Sequence, residues 1–293
     1  PEDMWNPPSS AVARSSDDFV PEAPHGFWEH ALQNGYNSLL QGQFFWGDWD
    51  MFWSSHAERR QNAVLRAVSG GPVYTSDPVG KTDPELILPL IRKDGTVIRC
   101  DNVGMPTLDC LFENEAESGR ILKLFNHYGE AYVVAAFSMG DETGSQGSLK
   151  LSDLPGTKGR EWIVYDQRNE EAFFLSNEEV FSFELGENDA CLFLVLPAAD
   201  FVPVGILEKL ICPGSILFRK QLPYRQLLGL SDKGRAGFVS VKRPVRVLVD
   251  GREASFEVRI CQGDGKKAYF CTVPVEESGP EEALLEILFE ENP

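Results

Sequence analysis

The first 111 residues repeat one pattern of apolar, acidic and helical segments three times. A short apolar run leads into an acidic cluster and then into a stretch whose apolar residues have helical spacing. In its first occurrence the apolar run is 10–14, the acidic cluster 16–18 and the helical stretch 27–40. In the second occurrence these segments are 43–46, 48–50 and 58–68, and in the third they are 71–75, 76–77 and 84–91. This alternation is typical of βαβ units, whose right-handed connections would bring all three acidic clusters to the carboxyl edge of a parallel sheet.

Three such units cannot close a (β/α)8 barrel, because closure needs eight strands of matched tilt and shear. We therefore expect the C-terminal part of a TIM barrel, with the other strands preceding Pro1. An open doubly wound sheet is the alternative architecture.

From residue 113 onward the pattern changes to about ten short β-rich runs separated by Gly, Pro, Asn and Asp. Asp250-Gly251 is a strong signal for a two-residue hairpin turn. The tail is predicted to be an antiparallel β-sandwich. The predicted fold class is thus α/β plus all-β, with a barrel domain at 1–112 and a sandwich domain at 113–293.

Composition restricts the partners. The 45 acidic and 27 basic residues give a formal charge of -18, which repels nucleic acid and anionic membranes. No apolar run approaches the ~20 residues of a membrane span. The six cysteines lack the spacing of a zinc site or a disulfide framework, and four of them lie in strand-like runs that predict burial. We expect no metal, no cofactor, no nucleic acid and no membrane as partner, and the oligomeric state is not predicted.

The densest candidate for chemistry follows the first apolar run and contains Arg14, Asp17 and Asp18. Two carboxylates beside a guanidinium allow one acid to hold a proton while the other stays charged, as acid and base catalysis at a sugar bond requires. The alternative is a helix N-cap, in which the same residues accept backbone N–H bonds. Pro21 and Pro24 argue against the cap, because they delay the helix and leave both aspartates in a loop.

The second cluster, 46–53, places aromatic rings around two carboxylates. Trp46, Trp49, Asp48 and Asp50 suit a carbohydrate pocket, since rings stack on the C–H faces of sugars and carboxylates accept bonds from hydroxyls. The alternative is that the same rings fill the core.

The third cluster, 70–77, lacks the glycine spacing of a phosphate loop and predicts a tightly packed strand. The four histidines, which show no HExxH arrangement, predict surface or core positions: His25, His30, His56 and His127.

Several of these strings resemble one known family. The segments 6–19, 43–52 with its Asp-Trp-Asp-Met-Phe string, and 67–77 resemble the raffinose synthase and seed-imbibition branch of glycoside hydrolase family thirty-six. The segments 93–100 and 104–112 look like the stretch that joins barrel to tail in that family.

The resemblance implies a retaining enzyme that acts on α-galactosides through a barrel with a C-terminal β-sandwich. It assigns the acid/base to Asp18, with Asp17 as the alternative, and gives Arg14 the role of binding sugar hydroxyls or orienting the acid. It also places Asp50 and Met51 in the pocket.

The family's nucleophile lies in a Lys-x-Asp string, and no such string precedes Arg14 here. We therefore expect the C-terminal portion of an α-galactosidase-like hydrolase for raffinose-type α-galactoside oligosaccharides, inactive by itself and cytoplasmic. Two alternatives stay open: a galactosyltransferase of the raffinose or stachyose synthase type, and a non-catalytic carbohydrate-binding or scaffold protein.

Overall fold

The computed structural model of the protein describes residues 11–112, 121–139, 145–263, 266–276 and 282–290. The chain forms two compact units. The first comprises residues up to 88, 99–158 and 177–193, and the second comprises 89–98, 159–176 and 194 onward. The predicted domain boundary after residue 112 stays a prediction.

The first unit contains the predicted alternation of strands and helices, in a reduced form. Its opening elements are β1 (Val12–Arg14), α1 (Gly26–Gln41), β2 (Trp46–Asp48), α2 (Arg59–Ser69) and α3 (Pro84–Ile87). Strands β1 and β2 pair in parallel, as predicted. The predicted third strand is only a parallel bridge between Phe52 and Thr75. Pro72 has no N–H to donate to a ladder, which favours this shortening.

Helix α1 begins later than the acidic cluster. Its N-cap is His25, in a left-handed conformation with φ 57° and without a side-chain capping bond. The aspartates at 17 and 18 therefore do not cap this helix, and the capping alternative is wrong. They lie in a loop, as the two prolines predict.

The rest of the first unit is antiparallel. It contains β3 (Met105–Pro106), β4 (Ile121–Tyr128), β5 (Ala131–Ser138), β6 (Ser145–Leu149) and β9 (Phe181–Leu185). Strand β4 pairs with both β3 and β5, and β6 pairs with β9. Strand β4 was not predicted, because Lys123 interrupts its apolar pattern; the ammonium is buried and lies 2.7 Å from Asp109 and 2.9 Å from Asp153.

The second unit is built from antiparallel strands. The residues of β10 (Ala190–Pro197) are divided between the two units after residue 193. The strands that lie wholly in the second unit are β7 (Trp162–Asp166), β8 (Glu171–Leu175), β11 (Phe201–Ile206), β12 (Ile216–Leu222), β13 (Arg225–Leu230), β14 (Gly234–Ser240), β15 (Arg246–Val249), β16 (Arg252–Glu253), β17 (Glu257–Gly263), β18 (Lys266–Val275) and β19 (Ala283–Leu288).

Two of its sheets share one apolar core, as in a β-sandwich. The strand orders are β11-β14-β18-β17 and β12-β13-β19-β15-β16. Phe238 and Val273 from the first sheet pack with Leu228 and Ile287 from the second. The predicted turn at Asp250-Gly251 is confirmed: it joins β15 to β16, and both residues have the positive φ of a tight hairpin.

All six cysteines are buried thiols. Burial raises the pKa of Cys100, Cys212, Cys261 and Cys271, for Cys271 to about 12, so the thiolate is suppressed at these positions. Among the described helices, none is both long and apolar enough to cross a membrane.

The close approach of two glycines generates a stability prediction. A Cβ on Gly71 would lie 2.0 Å from the carbonyl oxygen of Gly47, so Gly71→Ala must displace backbone. We expect a loss of about 1–3 kcal/mol in the free energy of unfolding, measured by urea denaturation. The matched control is Gly186→Ala, whose Cβ would meet its nearest neighbour at 4.0 Å. Equal stability of the two variants would contradict the packing assigned to this segment.

Candidate active site

The candidate site lies where β1 and β2 end. Arg14 and Asp48 are directly paired at these ends, so their side chains leave the same edge of the sheet. The Arg14 guanidinium lies between three carboxylates. Its Nη1 is 2.8 Å from Asp50 Oδ2 and 3.1 Å from Asp18 Oδ1, and its Nε is 3.5 Å from Asp48 Oδ2. Burial alone would lower the pKa of Arg14, but Asp50 and Asp48 raise it above its ordinary value.

Asp50 is the most enclosed of these carboxylates. Its side chain is 8% exposed and accepts backbone N–H bonds from Phe19 at 2.8 Å and Met51 at 2.7 Å. Its own backbone has φ 62°, a left-handed value that aspartate tolerates better than most residues. The Asp50 N–H donates to Asp48 Oδ1 at 2.9 Å, which locks the turn. Asp50 therefore fixes the position of Arg14.

Tyr74 completes the group, and sequence reasoning missed it. Its hydroxyl donates to Asp48 Oδ1 at 2.9 Å and receives a weak bond from Arg14 Nη2 at 3.5 Å. Burial and the hydrogen bond to Asp48 raise the pKa of Tyr74 to about 12, so the phenol keeps its proton. The available signal was its position at the end of the third apolar run, beside the other two acidic clusters.

The two predicted acid/base residues have different environments. The Asp18 side chain is 95% exposed, and one of its oxygens accepts from Arg14. Asp17 instead faces α1, where its backbone N–H donates to Gln33 Oε1 at 2.9 Å. Asp18 therefore belongs to the Arg14 group, while Asp17 is bound to the helix beside it.

A second cation lies beneath the site. Arg66 of α2 is fully buried and donates to the carbonyl oxygens of Asp50 at 3.2 Å and Met51 at 2.6 Å. Its guanidinium also lies 5.5 Å from the ring centre of Phe52. Burial lowers the pKa of Arg66 to about 9, which still leaves it charged at neutral pH. Arg66 thus fixes the backbone at residues 50–51 through these hydrogen bonds.

His30 belongs to this lower layer, so it is a core histidine, one of the two predicted environments. Its Nε2 lies 2.9 Å from the Trp49 carbonyl oxygen and 3.1 Å from Arg66 Nη2. Burial and the charge of Arg66 lower the pKa of His30 to about 2, so the imidazole is neutral at physiological pH.

The predicted tryptophans lie elsewhere. Trp49 is fully buried, and a Cβ on Gly104 would come within 2.8 Å of its ring. Trp46 begins β2, lies 5.0 Å from the Arg99 guanidinium and lines a separate pocket of about 620 Å³. The structure thus gathers Arg14, Asp18, Asp48 and Asp50, while the substrate roles predicted for Trp46, Trp49 and Met51 stay predictions.

The gathered group offers a definite chemistry. An exposed carboxylate can exchange a proton with a bound hydroxyl or ether oxygen, and the neighbouring guanidinium can orient it. The Asp48 carboxylate, which accepts from the Tyr74 hydroxyl, adds further acceptor oxygens at the same edge. Such a group suits a polyhydroxylated substrate.

Comparison with known proteins places the chain in a family. The profile described as "Raffinose synthase or seed imbibition protein Sip1" matches residues 2–150. The chain belongs to this family.

Named relatives are plant proteins. A probable galactinol–sucrose galactosyltransferase 6 of Arabidopsis thaliana is 29% identical over 85% of this chain and 38% of its own length. Stachyose synthase of Pisum sativum is 28% identical over 87% of this chain and 34% of its own length. Among solved structures, an α-galactosidase of Saccharomyces cerevisiae with raffinose aligns at 10% identity and a TM-score of 0.41, over 64% of this chain and 58% of its own. The chain therefore spans little more than a third of the plant relatives it matches.

The buried neutral state of His30 predicts a pH dependence. Below pH 6.5 the unfolded chain binds a proton at His30 that the folded chain refuses until about pH 2, so stability falls as the pH falls through this window. The loss from this one group is up to about 1.4 kcal/mol per pH unit. Urea denaturation of wild type and His30→Gln between pH 7.5 and 5 should show wild type losing its advantage over the variant as the pH falls.

The control for this experiment is Gly186→Ala, which changes no titratable group and adds a Cβ in open space. Its stability difference from wild type should stay constant with pH. A constant difference for His30→Gln as well would show that His30 is not held neutral.

Proposed function

We propose that this chain carries the acid/base half of an active site that transfers an α-galactosyl group, with a sugar hydroxyl as acceptor. The observation that carries the proposal is the Asp18 carboxylate held by Arg14 at the ends of two parallel strands. The relatives named as galactosyltransferases support transfer over the hydrolase first expected from the sequence. Hydrolysis is the alternative, with water as acceptor.

The proposal includes the architecture. Strands β1 and β2 and the bridge at Phe52 and Thr75 would be the last strands of a (β/α)8 barrel, and the Arg14 group would lie at its carboxyl end. The antiparallel tail would follow as the sandwich domain.

In the proposed reaction, protonated Asp18 gives its proton to the glycosidic oxygen as the bond to the galactosyl carbon breaks. A second carboxylate, about 5–5.5 Å away, attacks that carbon and forms a covalent galactosyl intermediate. Asp18, now ionised, takes the proton of the acceptor hydroxyl, whose oxygen attacks the same carbon and releases the second carboxylate. Water in place of the sugar hydroxyl would give hydrolysis.

Asp50 is not assigned as the second carboxylate, although Asp18 and Asp50 bind the same Arg14 nitrogen. Its oxygens already accept from Arg14 and two backbone N–H groups, and 8% exposure leaves little surface for attack. We assign the nucleophile to residues outside this sequence. Arg14 then orients the acid, and Asp48 with Tyr74 binds hydroxyl groups.

The acid/base assignment is tested in the native polypeptide that contains this sequence, with galactinol as donor and sucrose as acceptor. Asp18→Asn should lower kcat by about 10²- to 10⁴-fold, because the amide cannot exchange the proton. A nitrophenyl α-galactoside, whose leaving group needs less protonation, should restore much of the first step.

Asp17→Asn distinguishes the two aspartates, and Glu22→Gln removes an exposed carboxylate from the same loop as a control. Both variants should stay near wild type. A large loss in Asp17→Asn with a normal Asp18→Asn would move the role to Asp17, and normal rates in both would refute the acid/base proposal.

The product ratio tests transfer against hydrolysis. With millimolar sucrose, the native polypeptide should form more galactosylated sucrose than free galactose. The 293-residue chain alone should give neither product. Predominant release of galactose would favour the hydrolase. Turnover by the 293-residue chain would contradict the assignment of the nucleophile to residues outside it.

A further inference from the structure

The second unit contains an open pocket of about 460 Å³ where several strand ends meet. The turn between β12 and β13, the start of β11 and the end of β14 all line it. Phe289, just after β19, also lines it. Because both sandwich sheets contribute, the pocket is a place where their shared core opens to solvent.

A polar side chain occupies a core position at this opening. Gln226 precedes Leu228 and Leu230 by two and four residues, and both leucines lie in the shared core. The period of two along a strand puts Gln226 on the same inner face. It is only 6% exposed, and its Oε1 has no hydrogen-bond partner in the part of the chain that the structure describes. An unpaired buried amide costs roughly 1–3 kcal/mol, so an apolar residue would be more stable here.

The neighbouring turn presents an aromatic ring. Tyr224 follows Pro223 and has φ 55°, a conformation that a turn normally gives to glycine and that costs a tyrosine about 1–2 kcal/mol. Its side chain lines the pocket and is 44% exposed. Phe289 adds a second, partly exposed ring, which meets Phe201 edge to face at 6.4 Å. The pocket therefore combines aromatic faces with a carboxamide oxygen that has no partner among the described residues.

We propose that this pocket binds a neutral carbohydrate, with the C–H faces of a sugar on Tyr224 and Phe289. A sugar hydroxyl would donate to Gln226 Oε1 after a rotation about the terminal torsion of the side chain, which has a broad energy minimum. The volume falls within the range of small-molecule sites. The inference goes beyond the proposed galactosyl transfer and uses none of the residues of the Arg14 group.

The charges around the pocket favour this ligand class. Asp200 and Lys242, of opposite sign, both line it, and Arg225 is paired with Glu286 at 3.2 Å. The pocket lining therefore carries charges of both signs and favours neither an anion nor a cation. A purely apolar ligand would leave Gln226 Oε1 unpaired, which costs free energy in a buried site. A ligand hydroxyl that donates to this oxygen removes that cost.

The test is a titration of the 293-residue chain with raffinose as the probe, followed by amide NMR. We expect saturable shifts at 200–201, 224–226 and 241–242. Tyr224→Gly and Gln226→Leu should each weaken binding at least about fivefold. Their urea midpoints should equal or exceed that of wild type, because one relieves a strained φ and the other removes an unpaired polar group.

Glu22→Gln serves as the control, since it changes an exposed residue that does not line the pocket and should leave these shifts unchanged. The proposal is overturned if raffinose gives no saturable shifts at the pocket, or if Tyr224→Gly binds as well as wild type. A loss of stability in Gln226→Leu would also overturn it, because the carboxamide would then have a structural partner.

Discussion

The sharing of one guanidinium by three carboxylates is the interaction on which the candidate site depends. Arg14 is the cation that neutralises Asp50, whose side chain is almost entirely buried. Without that partner a buried carboxylate would cost several kcal/mol, so the strand ends and the loop after β2 are fixed together. The exposed Asp18 gains its orientation from the same guanidinium.

The layer beneath explains how so much charge is held at one edge. Arg66 binds the carbonyl oxygens of Asp50 and Met51, and the neutral His30 fills the space beside it without adding a charge. This arrangement lets a left-handed aspartate persist at position 50, where backbone strain is offset by several hydrogen bonds. The candidate site is thus supported by a buried polar network.

Much of the site could be predicted because its signals are local. Acidic residues after apolar runs mark strand ends, and the parallel pairing of β1 and β2 brings Arg14 and Asp48 together as expected. Whether an aromatic side chain faces the core or the solvent depends on residues distant in the sequence. Trp49 lies in the core because Gly104 leaves room for its ring, and the local sequence around Trp49 does not specify this. Tyr74 was missed because its role depends on Asp48, 26 residues earlier. In the tail, β12 was missed because it is a sheet edge with mostly exposed residues and shows little apolar patterning.

Whether Arg14 orients the proposed acid is measured by kcat/KM for galactosyl transfer in the native polypeptide. Arg14→Met should lose at least about 100-fold in kcat/KM, and Arg14→Lys, which keeps the charge but not the planar fork, should lose less. The urea denaturation midpoints of the same variants distinguish a loss of folding from a loss of catalysis. A folded Arg14→Met variant with kcat/KM within about twofold of wild type would rule out this role for Arg14.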